Sequence, residues 1–226
     1  MTEVCIIRHA EVIYPVDDQG RKLMYPPETH LSDEGKKQFN FFAMSLRKNG
    51  IKIDLIETSP YVRANESAII LASVFGIKKP VINPNLVDSY IPGWIGIPLS
   101  EAQKLMDRGK DIYQHPRTPD QELYEHIAGR MVNAFRGIVD RYSGKTVAII
   151  SHGDPIRLLM YRLKHPKGKI PNMSILSKDG YLKRGEACHV KVDHKGNVFE
   201  TELISNREGV LGERELYKDN PLERAL

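Results

Sequence analysis

Short apolar runs that stop at polar, ionisable residues recur along the chain. Val4-Cys5-Ile6-Ile7 ends at Arg8-His9, Ile53 to Glu57 ends at Thr58-Ser59-Pro60, and Thr146 to Ile150 ends at Ser151-His152-Gly153. Brief runs of this kind, rich in β-branched residues, predict strands covered on both faces. Between them the spacing turns helical. A helix opens at Leu31-Ser32-Asp33-Glu34-Gly35 and runs to about Asn49-Gly50, with Phe39, Phe42 and Leu46 on one face. A second runs from Tyr61 to Phe75 and stops at Gly76, and a third follows His152 from Ile156 to Leu163. Thr118-Pro119-Asp120-Gln121 has the form of a capping box and predicts a long helix to about Tyr142. Two later runs, 187–192 and 198–203, flank 193–197 as a hairpin. The alternation predicts an α/β fold whose mostly parallel sheet presents its carboxyl ends to a ligand. Residues 12–30 and 164–183 hold most of the Pro and Gly and read as loops. The tail from about 206 mixes both charges and reads as a surface helix or a docking arm.

The chain has 226 residues, a length for one large domain or two small ones, with 41% hydrophobic and 27% charged residues. Its 33 Lys and Arg exceed its 29 Asp and Glu by only 4, an excess too mild and scattered to indicate nucleic acid. The two cysteines, Cys5 and Cys188, are too few for a disulfide scaffold and lack the clustering of a zinc site, so both are expected reduced and buried. Neither a signal peptide nor a membrane span is expected from the first residues, which predicts a cytoplasmic protein with no membrane partner.

The chemistry-bearing residues sit at the strand ends. In Arg8-His9-Ala10-Glu11 the neighbouring cation disfavours imidazolium and so favours a neutral, nucleophilic His9, although an Arg-His pair is also common on solvated surfaces. Arg63 falls in the first turn of a helix, where a cation is unfavourable unless an anion lies nearby. A phosphate would resolve that conflict, as would a carboxylate such as Asp54 or Glu57. His152 again ends a strand, and Gly153 permits close backbone approach before Pro155. Gly144-Lys145-Thr146 imitates the end of a P-loop, but it precedes a strand and lacks the earlier Gly. His30, His115, His126, His165, His189 and His194 show no metal-ligand spacing, so no metal or other cofactor is expected.

In this order the motifs resemble the histidine phosphatase superfamily, also called phosphoglycerate mutase-like. They are Arg8 to Glu11, Leu31-Ser32-Asp33-Glu34-Gly35-Lys36-Lys37-Gln38, Ser59 to Ala68, Leu86-Val87-Asp88 with Gly93-Trp94-Ile95-Gly96, and Ser151-His152-Gly153. They span about residues 4–160. The resemblance implies a three-layer α/β/α sandwich, phosphoglycerate mutase-like, formed by residues 1–226 as a single domain with insertions at about 12–30 and 164–183. It implies a phosphatase that hydrolyses phosphomonoesters through a phosphohistidine on His9, with Arg8, Arg63, His152 and Gly153 holding the phosphoryl group. Preorganised donors of that kind contribute on the order of 3 kcal/mol each.

Two positions depart from the family pattern. The proton donor is usually Glu, whereas Asp88 stands here, one methylene shorter; Asp154 is the alternative donor, and Asp88 is otherwise a turn residue. Ala10 replaces the usual Gly. Glu11 and Glu122 are candidates to orient the cations, or are a solvated carboxylate and a residue in a helix's first turn. Trp94 and Tyr90 could pack on an organic leaving group, and Lys164 to Lys169 could rim the pocket. A mutase would carry an Asn and a Phe-x-Gly-Trp stretch soon after the first His, and Ile13 to Asp18 has neither. The alternatives are thus a phosphoglycerate mutase, or a catalytically silent protein that binds phospho-ligands. The expected partner is a small phosphorylated substrate; a phosphoprotein and a homo-oligomer both stay open.

Overall fold

The computed structural model describes residues 1–178, 180–193 and 198–204. Its centre is a six-stranded sheet in the order β3-β2-β4-β1-β5-β6. The strands are β1 (Thr2–Arg8), β2 (Leu55–Thr58), β3 (Val81–Ile82), β4 (Thr146–Ser151), β5 (Ala187–Val192) and β6 (Val198–Ile204). β3, β2, β4 and β1 pair in parallel, while β5 and β6 run antiparallel to their neighbours. The expected hairpin is thus formed by β5 and β6; its turn at 194–197, with His194, lies outside the described residues, as does the tail from 206.

Strand alternation divides the core. Val4, Ile6, Val147 and Ile149 point to one face, where they meet Phe135 and Ile138 of α4 (Tyr124–Arg141) and Leu158 and Leu159 of α5 (Gly153–Lys164). Cys5, Ile7, Ala148 and Ile150 point to the other, against Phe39, Phe42 and Leu46 of α1 (Asp33–Lys48) and Leu71 of α2 (Val62–Phe75). Period-2 side chains and helices on both faces make the three layers. The thiols of Cys5 and Cys188 are free and buried, and burial pushes the first up to about 12 and the second to about 11. Among the described residues no helix is long and apolar enough to cross a membrane.

Local chemistry accounts for the helix ends. Ser32 caps α1 by accepting the Gly35 N–H at 2.9 Å, and Asp33 and Glu34 complement the dipole in the first turn. Gly35 itself is required by packing, since a Cβ there would lie 2.3 Å from the Glu11 carbonyl oxygen. Gly76 ends α2 in the left-handed conformation at φ +69°. The capping box predicted at Thr118 does not start a helix. α4 begins at Tyr124, because the Gln121 side chain is spent on the Ile112 carbonyl instead of returning to a cap. Glu122 therefore precedes the helix. Two helices lie where no helical pattern is legible in the residues, α3 (Leu99–Asp107) and, inside the predicted 164–183 loop, α6 (Met173–Leu176); both are short, and α3 buries only Leu99 and Ala102.

Candidate active site

Register brings the predicted residues together. Arg8 pairs with Ser151 and Thr58 with Ile150, so β1, β2 and β4 end level and release His9, Ser59 and His152 at one edge. β5 contributes from the opposite direction: running antiparallel to β1, it sets Ala187 beside Ile7 and thereby carries Arg184 to the same edge.

His9 is buried, and its Nδ1 lies 2.7 Å from the Ala10 carbonyl oxygen. A carbonyl only accepts, so Nδ1 carries the proton and Nε2 keeps its lone pair for chemistry. Burial first, then the charges of Arg63, His152, Arg184 and Arg8, holds the imidazole well below the usual histidine range. The cation effect expected from Arg8 thus acts in the stated direction but ranks below both desolvation and the charge of Arg63. The Ala10 N–H donates to Ser67 Oγ at 3.1 Å, and Ser67 Oγ in turn donates to the Arg63 carbonyl, which ties the loop after β1 to α2.

The His152 ring stands with its centroid 5.2 Å from that of His9. Its Nε2 lies 2.9 Å from Ser59 Oγ, while Nδ1 faces Asp88 Oδ2 at 3.4 Å without a hydrogen bond of its own. Burial lowers this histidine to about 3 against the opposing pull of Asp88. Arg63, buried in the first turn of α2, donates from Nη2 to Asp88 Oδ2 at 2.8 Å and from Nη1 to the Pro26 carbonyl at 3.2 Å. Its carboxylate partner is therefore neither of the two weighed from the sequence. Asp54 accepts the Thr146 N–H, and Glu57 is held by Arg141 and Asn83. Burial would raise the Asp88 carboxyl, but His152, Arg63 and the Ser89 N–H outweigh it and hold it below the usual range. His152 is itself neutral near pH 7, so at that pH Arg63 carries the effect.

Arg8 donates to the Leu182 carbonyl at 3.1 Å and lies over the Tyr181 ring. The close approach that Gly153 permits is made here by those two residues: a Cβ would lie 2.1 Å from Tyr181 Oη and 3.0 Å from Arg8 Cζ. Asp154 is occupied on both oxygens, by Tyr113 Oη at 2.5 Å and Tyr181 Oη at 2.6 Å, and burial raises its carboxyl despite these bonds. Glu11 pairs with Arg184 at 2.5 Å, and Arg184 also donates to the hydroxyls of Tyr14 and Tyr25. Glu122 grips Arg130, whose guanidinium spans the carbonyls of Asn85, Val87 and Asp88.

A pocket of about 180 Å³ is lined by His9, Arg8, Arg63, Asp88, Gly153 and Arg184, among others; His152, Glu11, Glu122 and Arg130 stand behind this lining. Tyr90 lies on its wall, but Trp94 is buried in the core beneath Arg117, and none of Lys164 to Lys169 lines it. Sequence reasoning missed Arg184, Tyr113, Tyr181 and Arg130. Only Arg184 carried a usable signal, since an antiparallel neighbour for β1 would have set the residues preceding 187 at the site.

The sequence pattern of the histidine phosphatase superfamily (branch 1) matches residues 4–197. A phosphoglycerate mutase-like protein 4 of Arabidopsis thaliana is 25% identical over 173 residues, 74% of each chain. A metal-independent phosphoserine phosphatase of the same plant is 20% identical over 77% of this chain and 75% of its own. Among solved structures, YhfR of Bacillus stearothermophilus superposes with a TM-score of 0.70 at 22% identity, covering 88% of this chain and 95% of the other. With a match over nearly all the described residues and His9, Arg63 and His152 gathered at one sheet edge, the chain belongs to the histidine phosphatase superfamily.

Proposed function

We propose that the protein is a metal-independent phosphatase that hydrolyses phosphomonoesters through a phosphohistidine on His9, with Asp88 as proton donor. The phosphatase class accords with the family and with the phosphatase among its relatives. The observation that carries the mechanism is the state of His9: a neutral imidazole, Nδ1 bound to Ala10, facing a pocket that Arg8, Arg63 and Asp88 also line, with the His152 ring centroid 5.2 Å from its own.

A phosphoryl dianion entering the pocket meets the two guanidiniums, whose planar forks suit its oxygens, and the unpaired Nδ1 of His152. His9 Nε2 attacks phosphorus in line. The P–N bond forms as the P–O bond to the alcohol breaks, and the alcohol oxygen takes its proton from Asp88. Asp88 is ionised while Arg63 holds it. The dianion draws on the same guanidinium and sets negative charge beside the carboxyl, which raises it towards protonation. In the second half Asp88 accepts a proton from water, water oxygen replaces His9 on phosphorus, and phosphate departs. Asp154, spent on two tyrosines, positions the wall instead.

The Arg63–Asp88 pair also supports a second reading, a silent phospho-ligand binder in which Asp88 never protonates. One experiment decides. Intact protein should release phosphate from an aryl phosphate in the presence of a chelator, be inhibited by vanadate, and yield an acid-labile phosphoprotein on rapid quenching. His9→Ala should abolish all turnover, and turnover unchanged in that variant rejects the proposal. Phosphate binding without turnover in the intact protein supports the binder. Transfer to a second hydroxyl without free phosphate would identify a mutase. A cytoplasmic location, in keeping with the two free thiols, is part of the same proposal.

A further inference from the structure

The pocket that holds His9 is not polar throughout. Away from the phosphoryl end its wall is formed by Leu99, Ala102 and Met106, spaced along one face of α3, and by Ile91, Ile95 and Met24 from the loops opposite. Ile112 and Met173 continue this lining. The whole pocket, phosphoryl end included, measures about 180 Å³, against about 150 Å³ for an apolar cavity that accepts benzene.

The polar groups on the same wall are committed to one another. The Tyr113 hydroxyl sits between Ser89 Oγ at 2.7 Å and Asp154 at 2.5 Å, and Tyr181 holds the other Asp154 oxygen. Asp111 accepts the N–H groups of Tyr113 and Met173 and the Tyr124 hydroxyl. Tyr90 donates to Asp120. Apart from Arg8 and Arg63, the cation among the described lining residues is Arg184, which is locked to Glu11, Tyr14 and Tyr25. A substrate carboxylate, ammonium or hydroxyl entering this end would lose its hydration and find its partners engaged, a cost that an alkyl or aryl group does not incur.

We propose that the preferred substrate is the phosphate monoester of an uncharged, apolar alcohol of about one ring or a short alkyl chain, seated on Leu99, Ala102 and Met106. The inference rests on the phosphatase reading above. It separates the protein's substrate from small polar esters that carry a second charge.

The test is phosphate release from ethyl, butyl and hexyl phosphate against glycerol phosphate and phosphoserine, all esters of alkyl alcohols that demand a proton on leaving. kcat/KM should rise about two- to fourfold per added methylene until the chamber is filled, and hexyl phosphate should exceed both polar esters at least tenfold. Ala102→Phe, which fills the chamber, or Met106→Gln, at a partly exposed position should the first not fold, should bring the hexyl-to-ethyl ratio towards one. Equal or faster turnover of phosphoserine or glycerol phosphate overturns the proposal while leaving the phosphatase reading intact, and would mean that Arg184 leaves Glu11 for the substrate. If no ester is hydrolysed, the phosphatase reading fails, and calorimetry decides the chamber alone: hexylphosphonate binding at least tenfold tighter than 2-carboxyethylphosphonate supports it, and equal or weaker binding rejects it.

Discussion

His9 keeps the lone pair of one nitrogen because the other is bound to its neighbour's carbonyl, and burial disfavours the charged ring, leaving the neutral state that the proposed attack on phosphorus requires. The same burial acts on Asp88 with the opposite result, since Arg63 stands 2.8 Å away and stabilises the carboxylate. On the proposed mechanism a nucleophile is thus ready before substrate arrives, whereas the acid becomes one only when a dianion competes for Arg63. Asp88→Asn should therefore slow an alkyl phosphate by about 10² to 10⁴ in kcat, because its leaving alcohol needs the proton. A nitrophenyl phosphate, which leaves as a stable anion, should slow far less. Steady-state assays on the two esters check this, and equal losses would assign Asp88 to binding. Asp154→Asn provides the contrast: it loosens Tyr113 and Tyr181 and should raise KM for both esters without separating them by leaving group.

The position of Asp88 is set by an element distant in sequence. Arg130, projecting from α4, binds the carbonyls of Asn85, Val87 and Asp88 and is itself held by both oxygens of Glu122. Its bonds cross the segment between β3 and α3, which has only short helical turns of its own. Arg130→Gln keeps length and polarity but removes the fork. It should cost about 1.5 to 3 kcal/mol, the worth of hydrogen bonds to a charged group, and should reproduce the leaving-group dependence of Asp88→Asn. Denaturant midpoints and paired assays would show it. In the double variant the kinetic losses should fall short of their sum, because both act through one carboxylate; full additivity would mean that Arg130 does not position Asp88. This clamp also marks how far the sequence is legible. β1 and β4 announce themselves because a strand covered on both faces has an apolar centre, and β2 less so, since it buries Glu57 against Arg141 and Asn83; the polar ends of all three follow from a sheet edge facing a ligand. α1 shows its cap and α2 its terminal glycine. Arg130 and Tyr113 give no such signal, since their partners lie 42 and 41 residues away and an isolated Arg or Tyr has no periodicity; Arg184, 173 residues from Glu11, is legible only through the antiparallel pairing of β5 with β1. The misplaced start of α4 has the same origin: Gln121 fits a local capping pattern, and a tertiary partner at Ile112 prevailed.

For the molecule as a whole, the net excess of 4 positive charges matters less than where the charge and the neutral bases are held. Two imidazoles are buried uncharged at the carboxyl edge of the sheet, one of them lowered to about 3 and the other well below the ordinary value of 6.5. Below pH 6.5 the unfolded chain takes up protons that the folded state refuses, so it binds more protons and stability falls as pH falls. Each histidine contributes a slope of at most about 1.4 kcal/mol per pH unit across that window. Asp154 works against this: its raised carboxyl is protonated in the folded state before the unfolded one, which adds stability as pH falls from its folded value towards 3.8. Comparing slopes separates the two. Urea midpoints between pH 7.5 and 5 should fall steeply below 6.5 for the intact protein and more gently for His152→Asn, whereas Asp154 contributes equally to both curves. The absolute stability of the variant is immaterial to this comparison, and parallel curves would show that His152 takes up its proton in the folded state. Bound phosphate should flatten the intact protein's curve, because a dianion beside the two rings stabilises their protonated forms and so returns to the folded state the protons that burial denies it.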